Sequence, residues 1–559
     1  MELSVKSVIP ITIILPIFLQ AITSNIPLEN PTQYQEQKKI YDTQDKEKQT
    51  PESIYTELNE IPIKEDVNAS KACTHINEIS LENSVLIDED EFKILIKPYL
   101  QRCDTMQDIN ILVKKINNLY IEKAYVTSRA YIKAQNMSNH KLTISTMEGK
   151  IETVEGKNIS TSLVFPYAEQ SHLNLRDLEV GLEQLNRLQS MQATMDINPG
   201  TEVGYSNIVI KGKKVRSAFH GSLGINNYNT DKLGNVQITG SVGWDNPLDL
   251  NDLLTLNLNT TDQQDKDNNS IGNSINYGLP IGRAYVELSY FVFNYDQVVD
   301  GLNVNYNSEG KSEEYRLSAE YKVFHSKTQK GKVNIGLARK RNDNYLAGVF
   351  LDTSSSILTI AQLSYTHNYT AQTWSGYATF RYHRGLDIFG ATSPTGTEPT
   401  FDKFTLELNY NQNLLDGKMP VKYNFSVYGQ YANDGILASE YIGIGGPYSV
   451  RGFENKSQLS GNKGFYLRNE FTLGYTYNKF YFLPYLALDY GYVQENELSF
   501  GGAIAGLAVG LRMYFYDFAV DIFTSKAIKD SNEITYRPNG DEVRKENDGF
   551  TGFTLSYRF

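Results

Sequence analysis

The amino-acid sequence predicts two architectures in one chain of 559 residues. Small α+β units reach to about residue 213, and an all-β transmembrane barrel of about sixteen antiparallel strands fills 214–559. From residue 214 onward apolar and polar residues alternate with period two, segment after segment, between Asn/Asp/Gly turns, which is the signature of strands with two unlike faces. A soluble sandwich alternates as well. Three features favour a membrane barrel: aromatic enrichment, with 30 of the 39 Tyr in 214–559, an N-terminal export signal, and an alternating last strand that ends on Phe559. Bulk numbers agree with either case. Hydrophobic residues make up 40% and mean hydropathy is −0.41, because only every second residue of a barrel strand faces lipid.

Val8–Leu19 is an apolar run interrupted by Pro10 and Pro16, preceded by Lys6 and followed by Ala21, Thr23 and Ser24. Its length suits the core of a secretory leader and is too short to span a bilayer as a helix, so 1–24 is expected to be a signal peptide. No internal run reaches the ~18 apolar residues that a spanning helix needs. Residues 30–50 are polar, charged and rich in Gln and Lys. A helix there lacks an apolar face wide enough to fold alone; it is either a disordered tail or a mobile polar helix inside something water-filled. Pro51 interrupts it, and 51–70 read as linker.

Residues 73–150 read as a first α+β unit of order β-α-α-β-β: a strand over Ile76–Leu81, helices over 88–97 and about 106–121, and strands near 128–134 and 141–147. Asp104 or Thr105 is the N-cap of the second helix. Ile109, Leu112, Val113, Ile116, Leu119 and Tyr120 make its apolar stripe. Residues 151–213 repeat the theme, with strands at Ile151–Glu155, Ser190–Ile197 and Tyr205–Ile210 and a helical face of Leu175, Leu178, Leu182, Leu185 and Leu188. Export places the chain in an oxidising compartment, which makes Cys73 and Cys103 a disulfide candidate; the alternative is two unrelated buried thiols. A ring of this size stabilises by roughly 3–4 kcal/mol in the chain-entropy model.

In the barrel region Val215, Ser217, Phe219, Gly221, Leu223 and Ile225 alternate with Arg216, Ala218, His220, Ser222 and Gly224. Leu254, Leu256 and Leu258 alternate with Thr255, Asn257 and Asn259, and Tyr423, Phe425 and Val427 with Asn424, Ser426 and Tyr428. Phe553, Leu555, Tyr557 and Phe559 alternate with Thr554, Ser556 and Arg558. Spanning strands of ~9–11 residues plus turns give about sixteen strands over this length, an even number.

Other chemistries lack support. A net charge of −12 argues against a nucleic-acid binder. Two cysteines and seven scattered histidines argue against a metal centre. No G-x-S-x-G, H-E-x-x-H or P-loop motif is present. Asp262, Asp265 and Asp267 read as a solvated loop rather than a calcium site. No cofactor is expected.

Several stretches, in order, resemble the outer-membrane transporters of bacterial two-partner secretion, the hemolysin-activator and filamentous-haemagglutinin transporter family (TpsB type). CTHINEISLEN (73–83), KPYLQRC (97–103) and YIEKAYVTSRAYIKAQ (120–135) resemble that family's first POTRA domain, and NLRDLEVGLEQLNRLQSMQATMDINPG (174–200) its second. DNPLDLNDLLTLNL (245–258) resembles an early barrel hairpin. SVRGFE (449–454), YLRNEF (466–471), LDYG (488–491) and LSYRF (555–559) resemble later barrel motifs.

The resemblance implies POTRA domains at 71–150 and 151–213, a barrel over 214–559 with a long sixth loop at about 434–464, and an N-terminal plug helix with linker at 25–70. It implies that the loop motif Val450, Arg451, Gly452 and Phe453 folds into the barrel, where Arg451 pairs with Asp489. An arginine fork suits a carboxylate there, Gly452 permits close approach or positive φ, and Phe453 anchors. Without the surrounding motif Arg451 reads as an exposed loop cation. The family usually has an aromatic where this chain has Ala487. Cys73 and Cys103 resemble the disulfide of the hemolysin-transporter branch, and Phe559 the C-terminal signal read by the outer-membrane assembly machinery.

The implied function is nucleotide-independent export of an unfolded exoprotein (adhesin, hemolysin or contact toxin) that carries an N-terminal secretion domain. The protein would sit in outer-membrane lipid with its POTRA domains in the periplasm. Client binding by β-augmentation at a sheet edge fits an extended substrate. The alternative is a barrel-protein insertase of the same superfamily, which typically carries more POTRA units; a passive porin would carry none.

Overall fold

The structure, a computed structural model, describes residues 31–48, 54–63, 72–263, 265, 267–299, 304–394, 397–453, 459–496, 501–530, 534–536, 542–544 and 549–559. The expected leader at 1–24 lies outside the described residues.

The first α+β unit is built on the helix Met106–Glu122. Thr105, not Asp104, caps it: its hydroxyl accepts from the Asp108 N–H, and the Asp108 carboxylate accepts from the Thr105 N–H at 2.9 Å, a reciprocal pair that satisfies two orphan donors. Asp104 is buried and pairs with Arg102. Leu112, Ile116 and Tyr120 are fully buried with Ile76 and Ile144. The sheet places Glu78–Glu82 parallel to Lys141–Met147, which pairs in turn with Arg129–Tyr131.

Two expectations need correction here. The strand read over Ile76–Leu81 is split into Cys73–Ile76 and Glu78–Glu82. The first piece leaves the sheet to pair antiparallel with Arg102–Thr105, a strand the sequence reading did not include. Four mostly polar residues (RCDT) carry no alternation, so tertiary pairing alone creates that strand. Cys73 and Cys103 form a disulfide across the pair, with a Cα–Cα distance of 5.3 Å and a sequence separation of 30.

The second unit packs the helix Leu175–Leu185 on a sheet of Lys150–Lys157, Tyr205–Lys214 and Met191–Pro199. Leu188 stays buried but lies beyond the helix end. The two units meet end to end. The Asn174 side chain caps the second helix through Arg176 N and also donates to Lys123 O at 3.1 Å, just past the end of the first helix. Leu175 N adds a bond to Ala124 O at 3.0 Å.

Sixteen strands then close a barrel, each antiparallel to the next. The last strand, Phe550–Arg558, pairs with the first, Phe219–Asn226, and Phe559 extends the seam by exchanging two 3.0 Å backbone bonds with Gly221. The alternation sorts the two faces. Leu256 and Leu258 point outward and are exposed. Asn257 between them points inward, accepting from Ser241 at 2.8 Å and donating to Ser274 at 2.9 Å. Leu486 and Leu488 face Val509 and Leu507 across one strand pair, part of an apolar outer belt that suits hydrocarbon.

Stacked aromatics ring the rim nearest the N-terminal units: Phe219 on Trp244, Phe480 on Phe515, Phe518 near Tyr557. This is the interfacial belt of a membrane barrel. The second unit docks on the same rim. Asp245 accepts from Ser190 N at 2.7 Å and contacts His220, Asn251 donates to Ser160 O at 2.8 Å, and the Arg187 guanidinium lies 3.3 Å over the Tyr285 ring.

Replacing Cys73 and Cys103 together with serine should lower the unfolding free energy of the first unit by about 3 kcal/mol. The readout is the denaturant midpoint of amide protection over 72–148. An unchanged midpoint would mean that the ring does not constrain the unfolded chain.

Candidate functional site

The candidate site is the barrel lumen, occupied by two segments. One is the helix Pro31–Lys48. The other is the loop between the strands Val421–Ala432 and Gly464–Leu473, which folds back inside. Its turn Ala438–Glu440 leads to a small hairpin of Ile442–Ile444 with Leu459–Gly461, and residues 454–458 lie outside the described residues. Ile442, Ile444, Val450 and Phe453 are buried against Tyr428, Tyr466, Val493 and Ile504 of the wall, with Ile40 of the helix packed on the cluster.

Arg451 lies at the centre and is 3% exposed. Its Nε donates to Asp489 Oδ2 at 2.6 Å and its Nη2 to Oδ1 at 2.9 Å, a two-pronged grip, while its own backbone N–H donates to Oδ2 at 3.1 Å. The remaining prong, Nη1, reaches Glu470 Oε2 at 2.9 Å. Arg512 also donates to Glu470 Oε2, at 3.0 Å, and to Asp521 at 3.1 Å; Tyr485 donates to Asp521 at 3.0 Å. Glu470 is thus shared by two guanidiniums, while the buried Asp489 serves Arg451 alone among the described residues. Removing one member of such a buried set strands a charge and costs about 3–5 kcal/mol.

Backbone approach is equally demanding. Gly452 has φ +111°, and a Cβ there would meet Lys526 O at 2.6 Å. On the wall, a Cβ at Gly506 would lie 1.5 Å from Arg451 O, and one at Gly491 would lie 2.9 Å from Val450. Those two glycines clear the strip of wall on which the loop lies. Ala487, where the resembling family has an aromatic, is buried opposite Ala508, and Tyr485 and Phe523 pack around this small pair.

The helix is held by charge as well as by the packing of Ile40 and Tyr41. Glu36 meets Lys340 of the wall at 3.1 Å, and the same ammonium meets Glu440 of the loop at 2.9 Å. Lys39 pairs with Glu314 at 3.0 Å and lies over Phe291, and Lys403 pairs with Glu440. Tyr41 sits between Tyr448 of the loop and Arg468 of the wall. The side chains of Gln35 and Gln44 are buried between the helix and its surroundings in the lumen.

The sequence reading did not single out Glu470, Arg512, Lys340, Glu440 or Gly506. Parity held part of the signal: Arg468 and Glu470 share a face of YLRNEF opposite outward Leu467 and Phe471, and Arg512 alternates with Leu511. Which charges meet depends on strand register, which parity does not supply.

Residues 204–513 match the family described as haemolysin secretion/activation protein ShlB/FhaC/HecB. Residues 74–149 match the POTRA domain of ShlB type, and 144–199 match a POTRA domain. The outer membrane transporter CdiB of Dickeya dadantii (strain 3937) is 32% identical over 427 residues, covering 74% of this chain and 75% of that protein. The hemolysin transporter protein HpmB of Proteus mirabilis is 28% identical, covering 86% of each chain. The solved structure of CdiB from Escherichia coli superposes with a TM-score of 0.79 at 23% identity, over 94% of this chain and 98% of that one, a likeness of fold.

Gly506→Ala should dislodge the loop without opening the barrel, because the added methyl takes the place of the Arg451 carbonyl. The expected result is new protease cleavage within 434–464 in a barrel that still resists heated detergent. Loop protection equal to that of the wild type would mean that the wall absorbs the methyl.

Proposed function

The chain belongs to the haemolysin secretion/activation protein family ShlB/FhaC/HecB, and we propose that it carries one unfolded secreted protein through its own barrel, past a helix and a loop that must release their lumen contacts. It is an outer-membrane transporter, with two POTRA domains in the periplasm and a sixteen-stranded barrel in the membrane. The observation that carries the proposal is the character of the lumen contacts. Ion pairs and hydrogen bonds to wall side chains, including Glu36–Lys340 and Lys39–Glu314, leave polar partners on both sides that water or a polar chain can take over. A dry, apolar plug would not leave so easily.

The client is an exoprotein with an N-terminal secretion domain, of the adhesin, hemolysin or contact-toxin kind; the relatives named as a hemolysin transporter and as CdiB support this class. It first meets the open edges of the first POTRA sheet, where backbone pairing accepts an extended chain with little sequence demand. Outward movement is biased by folding of the client outside, with no nucleotide and no catalysed bond change. The apolar belt faces outer-membrane lipid. Phe559, exposed at the closing seam, serves as the signal for the outer-membrane assembly machinery. Arg451 and Asp489 hold the loop in the position that transport requires, with Val450, Gly452 and Phe453 seating it.

The test is secretion of a co-expressed exoprotein fragment by wild type and Arg451→Ala at matched outer-membrane levels. Export by the wild type and its loss in the variant are expected; equal export would remove the role of Arg451. Deleting residues 30–50 should raise channel conductance in planar bilayers, and Lys340→Ala should raise it partway because it frees both Glu36 and Glu440. Unchanged conductance in the deletion would rule out the plug.

A further inference from the structure

Residues 54–63 do not behave as a free linker. They run extended across both POTRA domains to the barrel rim, and nearly all the polar grips on them fall on the main chain. Ile61 N donates to Asn118 Oδ1 at 2.8 Å while Asn118 Nδ2 donates back to Ile61 O at 3.3 Å, as a neighbouring β-strand residue would. Thr56 N donates to Glu179 at 2.7 Å, and Arg176 donates to Thr56 O at 3.3 Å through both terminal nitrogens. Ile54 N donates to Glu183 at 3.1 Å, and the Ile54 carbonyl faces His325 of the barrel at 3.1 Å. Side-chain recognition is modest: Tyr55 lies under Arg176, Ile54 touches the second POTRA core, and Glu57 pairs with Lys327. Thr56, Glu57, Asn59 and Glu60 point to solvent.

The grips are prepared in advance by their own neighbours. Glu179 is 1% exposed and pairs with Arg176 at 2.6 Å. Glu183 is flanked by Lys322 at 2.9 Å and Lys330 at 3.0 Å from the rim; burial works against its charge, but the two ammonium groups hold its carboxyl below the usual range. From residue 54 to residue 61 an extended chain spans about 23 Å. The row of grips therefore reads main chain over that length, leading from the first POTRA helix to the barrel mouth.

Resting on the transport reading above, we propose that this row is a client track: Asn118, Arg176, Glu179, Glu183 and His325 hold the extended backbone of the secreted protein, and the linker is a placeholder that occupies the track until the plug helix leaves. A track that reads main chain is indifferent to sequence, which an unfolded client requires. The linker enters it with its N-terminal side toward the lumen, so a client that follows the same path runs with its N-terminal side in the barrel.

The test uses the full-length protein in outer membranes, with a photo-crosslinking phenylalanine at position 118 or 176, at Lys211 as an off-track control, or at Asn257 in the lumen. The client probe is a secretion-domain fragment fused to a disulfide-closed domain that stalls export. In the idle protein, positions 118 and 176 should cross-link to 54–63. With the stalled client these self-adducts should fall several-fold and client adducts should replace them, while Lys211 gives neither. Client adducts at 257 with undiminished self-adducts at 118 and 176 would overturn the track and leave transport standing. No client at 257, together with no export of the same fragment lacking the stalling domain, would overturn the transport reading and the track with it. Two linker variants, read with the crosslinker at position 176 so that Asn118 stays in place, guard against a disturbed fold: Ile61→Pro, which removes the N–H that Asn118 accepts, should weaken self-adducts, and Ile61→Ala should keep them. Equal loss in both would mean that the side chain, not the main chain, is read.

Discussion

The interior of the barrel is organised around one buried guanidinium. A cation in such a place is tolerable only if every prong finds an acceptor, and Arg451 finds them in Asp489 and Glu470, with its own backbone N–H donating to the Asp489 carboxylate as well. Meeting that demand fixes much else. The loop backbone must lie flat on the wall, which requires glycine at 506, and the Val450 and Ile444 side chains lie close over Gly491. Glu470 must be shared with Arg512, which also donates to Asp521 and lies over the Tyr485 ring. The apolar residues on either side, Val450 and Phe453, then fall into the wall cluster that also receives Ile40 of the helix.

How much of this was legible follows from which physical signals are local. Period two is a property of one strand, so the barrel and its sixteen strands could be read from segments such as Leu254–Asn259. The stripe on Met106–Glu122 was legible for the same reason, at helical spacing. The strand Arg102–Thr105 was not, since four residues held only by their partner leave no pattern of their own. The docking of 54–63 was invisible in principle: main-chain hydrogen bonds leave almost no trace in side-chain identity. At the site, Arg451 and Asp489 were reached through motif resemblance, whereas Glu470, Arg512 and Lys340 needed the register of strands far apart in the chain. Thr105 against Asp104 as cap was left open by the sequence, and the capping box with Asp108 decided it.

The periplasmic half and the membrane half are joined by directed contacts rather than by a hinge of loose chain. Asn174 bonds the end of one POTRA helix to the start of the next, Asp245 grips the backbone that follows the second, and Arg187 covers Tyr285. These contacts tie the two POTRA domains to the rim, from the end of the first POTRA helix up to the barrel mouth.

Lys340 carries a further consequence. One ammonium group serves both Glu36 of the helix and Glu440 of the loop. Two ligands of a single charge are thermodynamically linked, and linkage is reciprocal: whatever the helix contributes to loop docking, the loop contributes to helix docking, by the same free energy. The lumen occupants are therefore heterotropic effectors of each other, and a chain that displaces one has already altered the affinity of the other, before touching it.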